Sequence, residues 1–326
     1  MKLGLAFALT VIATPCLADV APGYDRMENT ARKDRPLALS VWYPSESEAT
    51  TAVGGNAVFT GSSASVNAPV PSGPLPLIVL SHGGLRSAED SGAWLASSLA
   101  QAGLIVVEVS APRPLSAAAA VHEIFERPRD ISRAVDTVLD DPRWSGAIDT
   151  NRIFVVGYAL GGTAALFVAG ANLDANRYAQ SCDEGGVGGP DCAWYAAQGV
   201  TPEEMRGRIN AKPLHDARIT SAVAVMPEYL SAIEVDATIR GPSMLTISLG
   251  QGGASDARIR NVAISDATAF DAFAICTEVG PAILMEEEGD AEICGASPEG
   301  RNLAHRGIAN AITSFIQGGA APTAAQ

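Results

Sequence analysis

Residues 154–162 read FVVGYALGG, an apolar run that enters a Gly-x-x-x-Gly turn and leaves it through an alanine-rich stretch. A continuous apolar run of this length suits a strand covered on both faces, and the alanines beyond it suit a helix. The turn between them, from Gly157 to Gly161, is tight. Its central residue is Ala159, whose methyl group can neither attack an electrophile nor release a proton.

The same alternation continues on both sides. LPLIVLS (75–81) and LIVVEVS (104–110) are further buried strands, and AEDSGAWLASSLAQAG (88–103) is an amphipathic helix that stops at Gly103. A helix over 127–141 places Ile131, Ala134, Val135 and Val138 on one face, and 152–158 is the strand that enters the tight turn. ITSAVAVMP (219–227) and SMLTISL (243–249) are two later strands, and NLAHRGIANAITSFI (302–316) is a closing helix. Upstream, LALSVWYPS (37–45) alternates as a strand, whereas 46–74 is rich in Ser, Gly, Ala and Pro and reads as a long surface loop. Strands alternating with helices imply an α/β fold with a doubly wound, mostly parallel sheet. Ligands of such sheets bind outside the carboxyl ends of the strands, where SHGG (81–84) and the 157–162 turn both fall. Residues 172–217 break the rhythm and read as an insertion over the pocket.

The chain opens MKLGLAFALTVIATPCLADV, one Lys and a short apolar run ending in small residues. This is a signal peptide (1–18), too short to span a bilayer, ahead of one domain (19–318) and a flexible tail (319–326). The expected location is periplasmic or secreted, with no membrane span. A formal net charge of -14 would repel a phosphate backbone, so nucleic acid is not an expected partner. Of the five cysteines, Cys16 lies in the signal peptide; the remaining four suit two disulfides in an exported chain. Three pairings are possible, of which the local ones, Cys182 with Cys192 and Cys276 with Cys294, are preferred. With four histidines and no Cys-x-x-Cys, no metal site is expected. No dinucleotide fingerprint or phosphate-loop Lys is present, so no cofactor is expected either.

Taken together, VWYP (41–44), SHGG, RPRDISRAVD (127–136), the 157–162 turn, LHDARITSAVAVMP (214–227) and RNLAH (301–305) resemble the α/β-hydrolase superfamily. Within it they resemble the dienelactone hydrolase-like and platelet-activating-factor acetylhydrolase-like group. The resemblance implies ester or lipid-ester hydrolysis by a Ser, an Asp and a His, in that order along the chain. It puts the nucleophile at Ala159, on the elbow between strand and helix. It puts the acid at Gly253, with Asp256 three residues on, and the base at Ala269, beside Phe270. All three reacting groups are thus replaced. The oxyanion and pocket positions that it implies are His82, Gly83, Gly84, Leu85, Tyr158 and Leu160, with His82 buttressing the loop and His305 a structural residue of the last helix.

Three losses together fit a naturally degenerate site, and the expected function is a non-catalytic relative that binds an ester or acyl ligand or a protein partner. One alternative is an active carboxylic-ester or lipid-ester hydrolase with a rearranged site that uses Asp256 and His305. The other is a structural or interaction protein whose pocket has filled. Ser81, Ser87 and Thr163 are hydroxyls near the turn in sequence. Only Ser81 has a histidine beside it, and neighbours on a strand point to opposite faces. No His ring is therefore expected within hydrogen-bond reach of a hydroxyl near Ala159.

Overall fold

The structure, a computed structural model, describes residues 20–85, 87–182, 191–200, 214–235, 242–250, 259–287 and 291–318. The expected signal peptide (1–18), residues 183–190 and 201–213 of the 172–217 stretch, Gly253, Asp256 and the expected tail lie outside the described residues. In chain order the strands are β1 (Gly23–Asn29), β2 (Leu37–Tyr43), β3 (Thr51–Val53), β4 (Ser62–Val66), β5 (Leu75–Ser81), β6 (Ile105–Ser110), β7 (Ile148–Tyr158), β8 (Ala171–Leu173), β9 (Ile219–Val225), β10 (Ile233–Val235), β11 (Ser243–Leu249) and β12 (Arg260–Ile264). The helices are α1 (Ala93–Gln101), α2 (Ala117–Ala120), α3 (Glu123–Asp140), α4 (Leu160–Val168), α5 (Ala175–Gln180), α6 (Cys192–Ala197), α7 (Gly280–Glu287) and α8 (Pro298–Ile316).

Among the described residues a ten-stranded sheet runs β12-β11-β9-β7-β5-β6-β2-β1-β4-β3. The six strands from β12 to β6 are parallel, and β2 joins β6 antiparallel. The side-chain period of two explains the continuous apolar runs. Leu77 and Val79 of β5 face one core with Ile131 and Val135 of α3, while Ile78 and Leu80 face a second core with Leu95 of α1 and Ile308 of α8. Helices thus cover both faces, and β5, β7 and β9 sit mid-sheet with their carboxyl ends together. β8 and β10 form a separate two-stranded sheet that ties the start of the insertion to the segment after β9.

Three differences from the sequence reading have local causes. The 46–74 stretch is not one loop: β3 and β4 extend the sheet at its antiparallel edge, where short strands need little apolar sequence. The helix expected from 127 begins at Glu123 instead, so Pro128 lies inside α3 and not at its mouth. The last helix starts at Pro298, where Ser297 Oγ accepts from the Gly300 N–H and proline takes the first helical position. Cys182 is bonded to Cys192 and Cys276 to Cys294.

Candidate active site

Ala159 joins β7 to α4 with φ 54° and ψ -126°, the geometry of the first central residue of a type II′ turn, where glycine dominates. The turn's glycines are sterically required. A Cβ on Gly157 would lie 2.1 Å from Gly161 O, and one on Gly161 would lie 1.8 Å from Ser81 O. The strand and the helix therefore meet backbone to backbone, lifting Ala159 to the top of the sheet, where it is half-buried.

The 81–85 loop lies against this elbow. Gly83, at φ 92°, donates its N–H to Tyr158 O (3.1 Å), and its carbonyl accepts from the Gly161 N–H (3.3 Å). Arg127, from the RPRDISR stretch, donates to Gly83 O and Gly84 O, each at 2.6 Å, and pairs with Glu123 at 3.5 Å. Glu123 and Asp130 in turn hold Arg35. The charged face of α3 is thus a clamp on the loop, a role that the sequence pattern did not reveal. Leu85 is buried.

Glu228, which the sequence reading did not single out, closes the elbow. The backbone N–H of Leu160 is near enough to its carboxylate to favour the charged form, and a Cβ on Gly84 would lie 3.2 Å from its Oε1. Its Oε2 is buried without a hydrogen-bond partner. Burial pushes its pKa up to about 7, Asp191 adds to that, and Arg127 opposes it. The backbone aims this side chain: Met226 (φ 44°) and Tyr229 (φ 55°) are both left-handed, and Thr163 Oγ1 donates to Glu228 O at 2.5 Å. Only a bend of this kind turns a residue just past β9 back over the start of α4.

The Ala269 position reaches the elbow through its backbone. Tyr158 Oη donates to Ala269 O at 2.8 Å, and burial raises that phenol's pKa. The carbonyls that follow are pinned in turn. Ala272 O accepts from His82 Nε2 (3.1 Å) and Trp94 Nε1 (3.0 Å), Phe273 O from His305 Nε2 (2.9 Å), and Ala274 O from Arg301 (2.8 Å). His305 stacks on Trp94 with ring centroids 3.6 Å apart. Both histidines lie about 4, lowered first by burial.

One pair was not singled out by the sequence reading: Ser91 Oγ is 3.2 Å from His82 Nδ1, and the His82 ring lies 5.0 Å from the ring of Tyr158. The helical turn before α1, not the strand, supplies this hydroxyl, so adjacency in sequence could not find it. A cavity of about 600 Å³ adjoins the loop, lined by Ser81, His82, Leu85, Ser91, Glu108 and Arg127 among others. Neither Ala159 nor Leu160, nor any residue of 172–217, is among the described residues that line it. Among the described residues no group of His, Cys, Asp and Glu could hold a metal ion, and no helix is long and apolar enough to cross a membrane.

No family model matches the sequence, and no curated protein matches it. In structure the chain is similar to a ferulic acid esterase from Streptomyces cinnamoneus, with a TM-score of 0.57 and 16% identity over 95% of this chain and 94% of that one. It is also similar to esterase 2 from Thermogutta terrifontis, with a TM-score of 0.46 and 14% identity over 93% of this chain and 97% of that one. The former likeness, together with the sheet order and the strand–elbow–helix, makes this an α/β-hydrolase fold.

Proposed function

We propose that this chain is an exported, non-hydrolytic protein of the α/β-hydrolase fold, close to the dienelactone hydrolase-like and platelet-activating-factor acetylhydrolase-like group, that binds a ligand or partner without turning it over. The observation that carries this reading is the buried Glu228 carboxylate set beside the start of α4, next to a methyl group at the elbow. In an acyl-transfer site the Leu160 N–H would be aimed at the developing oxyanion. Here the protein's own buried carboxylate lies beside it, and an acyl oxygen would have to compete with that group. Gly253 and Ala269, where the resemblance puts the acid and base, complete the reading. An ester or acyl ligand at the elbow would bind with Glu228 protonated or moved aside.

Two hydrolytic rivals meet physical objections. His305 is committed to Phe273 O and stacked on Trp94, which leaves it poorly placed to serve a rearranged triad with Asp256. The Ser91–His82 pair has the right atoms, but a histidine held near 4 is a weak base at neutral pH.

The test is hydrolysis of a short-chain activated ester by the mature protein, beside Ala159→Ser and the double variant Ala159→Ser, Ala269→His. The natural chain is expected to show no turnover above buffer and no labelling by a fluorophosphonate. Turnover that the fluorophosphonate stops, with the label on Ser91 or any other hydroxyl, would overturn the reading.

A further inference from the structure

We infer that the cavity beside the 81–85 loop is a binding site for a small organic cation bearing N–H donors, such as an amidine, a guanidine or a primary amine. Its volume of about 600 Å³ is that of a small-molecule site. The argument rests on how the donors and acceptors of its wall are already used.

Glu108, on β6, is 2% exposed and lines the cavity. Its Oε1 accepts from the Gly92 N–H at 2.6 Å, and its Oε2 has no hydrogen-bond partner. A buried acceptor left without a donor costs about 1–3 kcal/mol. The other acids of the wall are neutralised or at the surface. Glu123 and Asp130 pair with Arg35, Glu89 pairs with Arg26, and Glu28 is exposed. The cations of the wall are committed too: Arg127 to Gly83 O and Gly84 O, and Arg113 to Ser87 O at 3.3 Å. Glu108 is therefore the buried acid here with no cation set against it.

Ser91 adds a second acceptor. Ala272 O can only accept, so His82 Nε2 carries the ring proton and Nδ1 is bare. The Ser91 hydroxyl donates its one proton to Nδ1, and toward the cavity its oxygen can only accept. Asp90, between Glu89 and Ser91, deepens the negative potential. Ser40 donates to it at 2.5 Å, and Arg26 approaches only to 3.8 Å. Above about pH 8, where Glu108 is ionised despite its burial, these acceptors are complementary to a cation that carries N–H groups.

The experiment is calorimetric titration of the mature chain at pH 9, where Glu108 is ionised, with benzamidine and with benzamide, which has the same shape and no charge. Benzamidine is expected to bind at least about tenfold tighter, a difference of about 1.4 kcal/mol. Glu108→Gln should erase that preference, and Ser91→Ala should weaken benzamidine binding severalfold; the latter still decides the matter if Glu108→Gln does not fold. Equal affinity for the two probes, no binding of benzamidine, or unchanged binding in both the Glu108 and Ser91 variants overturns the inference. The hydrolysis test is separate: a chain that cleaves esters and still binds benzamidine through Glu108 would sink the proposed function and leave this site standing.

Discussion

At Ala159 the chain holds an L-residue in a backbone conformation that glycine adopts freely, and such positions cost about 1–3 kcal/mol. In a working hydrolase the strain presents a nucleophile; here it presents a methyl group. Ala159→Gly should therefore stabilise the chain by about 1 kcal/mol, the relief exceeding the extra entropy of an unfolded glycine. A denaturant midpoint that falls in this variant would show that the elbow is not strained. Arg127 gives the opposite case. Arg127→Met keeps the length of the side chain but strips donors from Gly83 O and Gly84 O, and charge-assisted bonds of this kind contribute about 1.5–3 kcal/mol each. We expect a loss of roughly 3 kcal/mol, little of it recovered by Arg127→Lys, because an ammonium cannot reproduce a planar fork. Equal midpoints for Arg127→Met and the natural chain would refute the clamp. Ala159 was legible in sequence because the elbow's glycines are local. Glu228 was not, because its approach to Leu160 depends on left-handed backbone at Met226 and Tyr229, neither of which is a residue type that signals a turn.

At the scale of elements, the buried strands were legible because a strand segment covered on both faces must be apolar, as Leu75–Leu80 of β5 and Ile153–Val156 of β7 are. Edge strands carry no such demand. β4 reads SSASV and its partner β3 is three residues long, so their composition is that of a loop. The segment from Ala269 to Ala274 shows a further limit. Sequence marks it by what it lacks, a histidine, whereas its structure is set by donors from α1, α8, the 81–85 loop and β7 that converge on its carbonyls. The Cys276–Cys294 bond closes the same region against the approach to α8. The segment is thus firmly held, with Ala269 at the position where the resemblance puts the base. This is why restoring Ser and His together is the informative test of the proposed function: the backbone of the segment that would carry the His is already pinned.

At the scale of the molecule, the buried titratable groups set how stability follows pH. Glu108 and Glu228 are pushed up to about 8 and about 7 from an ordinary 4.5. In that interval the folded chain holds protons that the unfolded chain has released, so each group's contribution is complete below about 4.5 and is lost as pH rises. The slope is at most about 1.4 kcal/mol per pH unit for each group. His82 and His305, lowered from 6.5 to about 4, act in the other direction: the unfolded chain takes up protons first, and stability falls as pH drops through that range. From about 4.5 to 6.5 these two pairs oppose each other, and above 6.5 only the carboxyl groups act, so their joint effect favours mildly acidic conditions. Glu108→Gln isolates one member, because an amide keeps an acceptor for the Gly92 N–H and cannot ionise. The melting temperature of this variant relative to the natural chain should climb steadily from pH 5 to pH 8 and then level off. A difference that stays flat across that range would mean that Glu108 ionises as freely in the folded chain as in the unfolded one. That outcome would remove the picture of an uncompensated acid on the cavity wall along with the pH dependence.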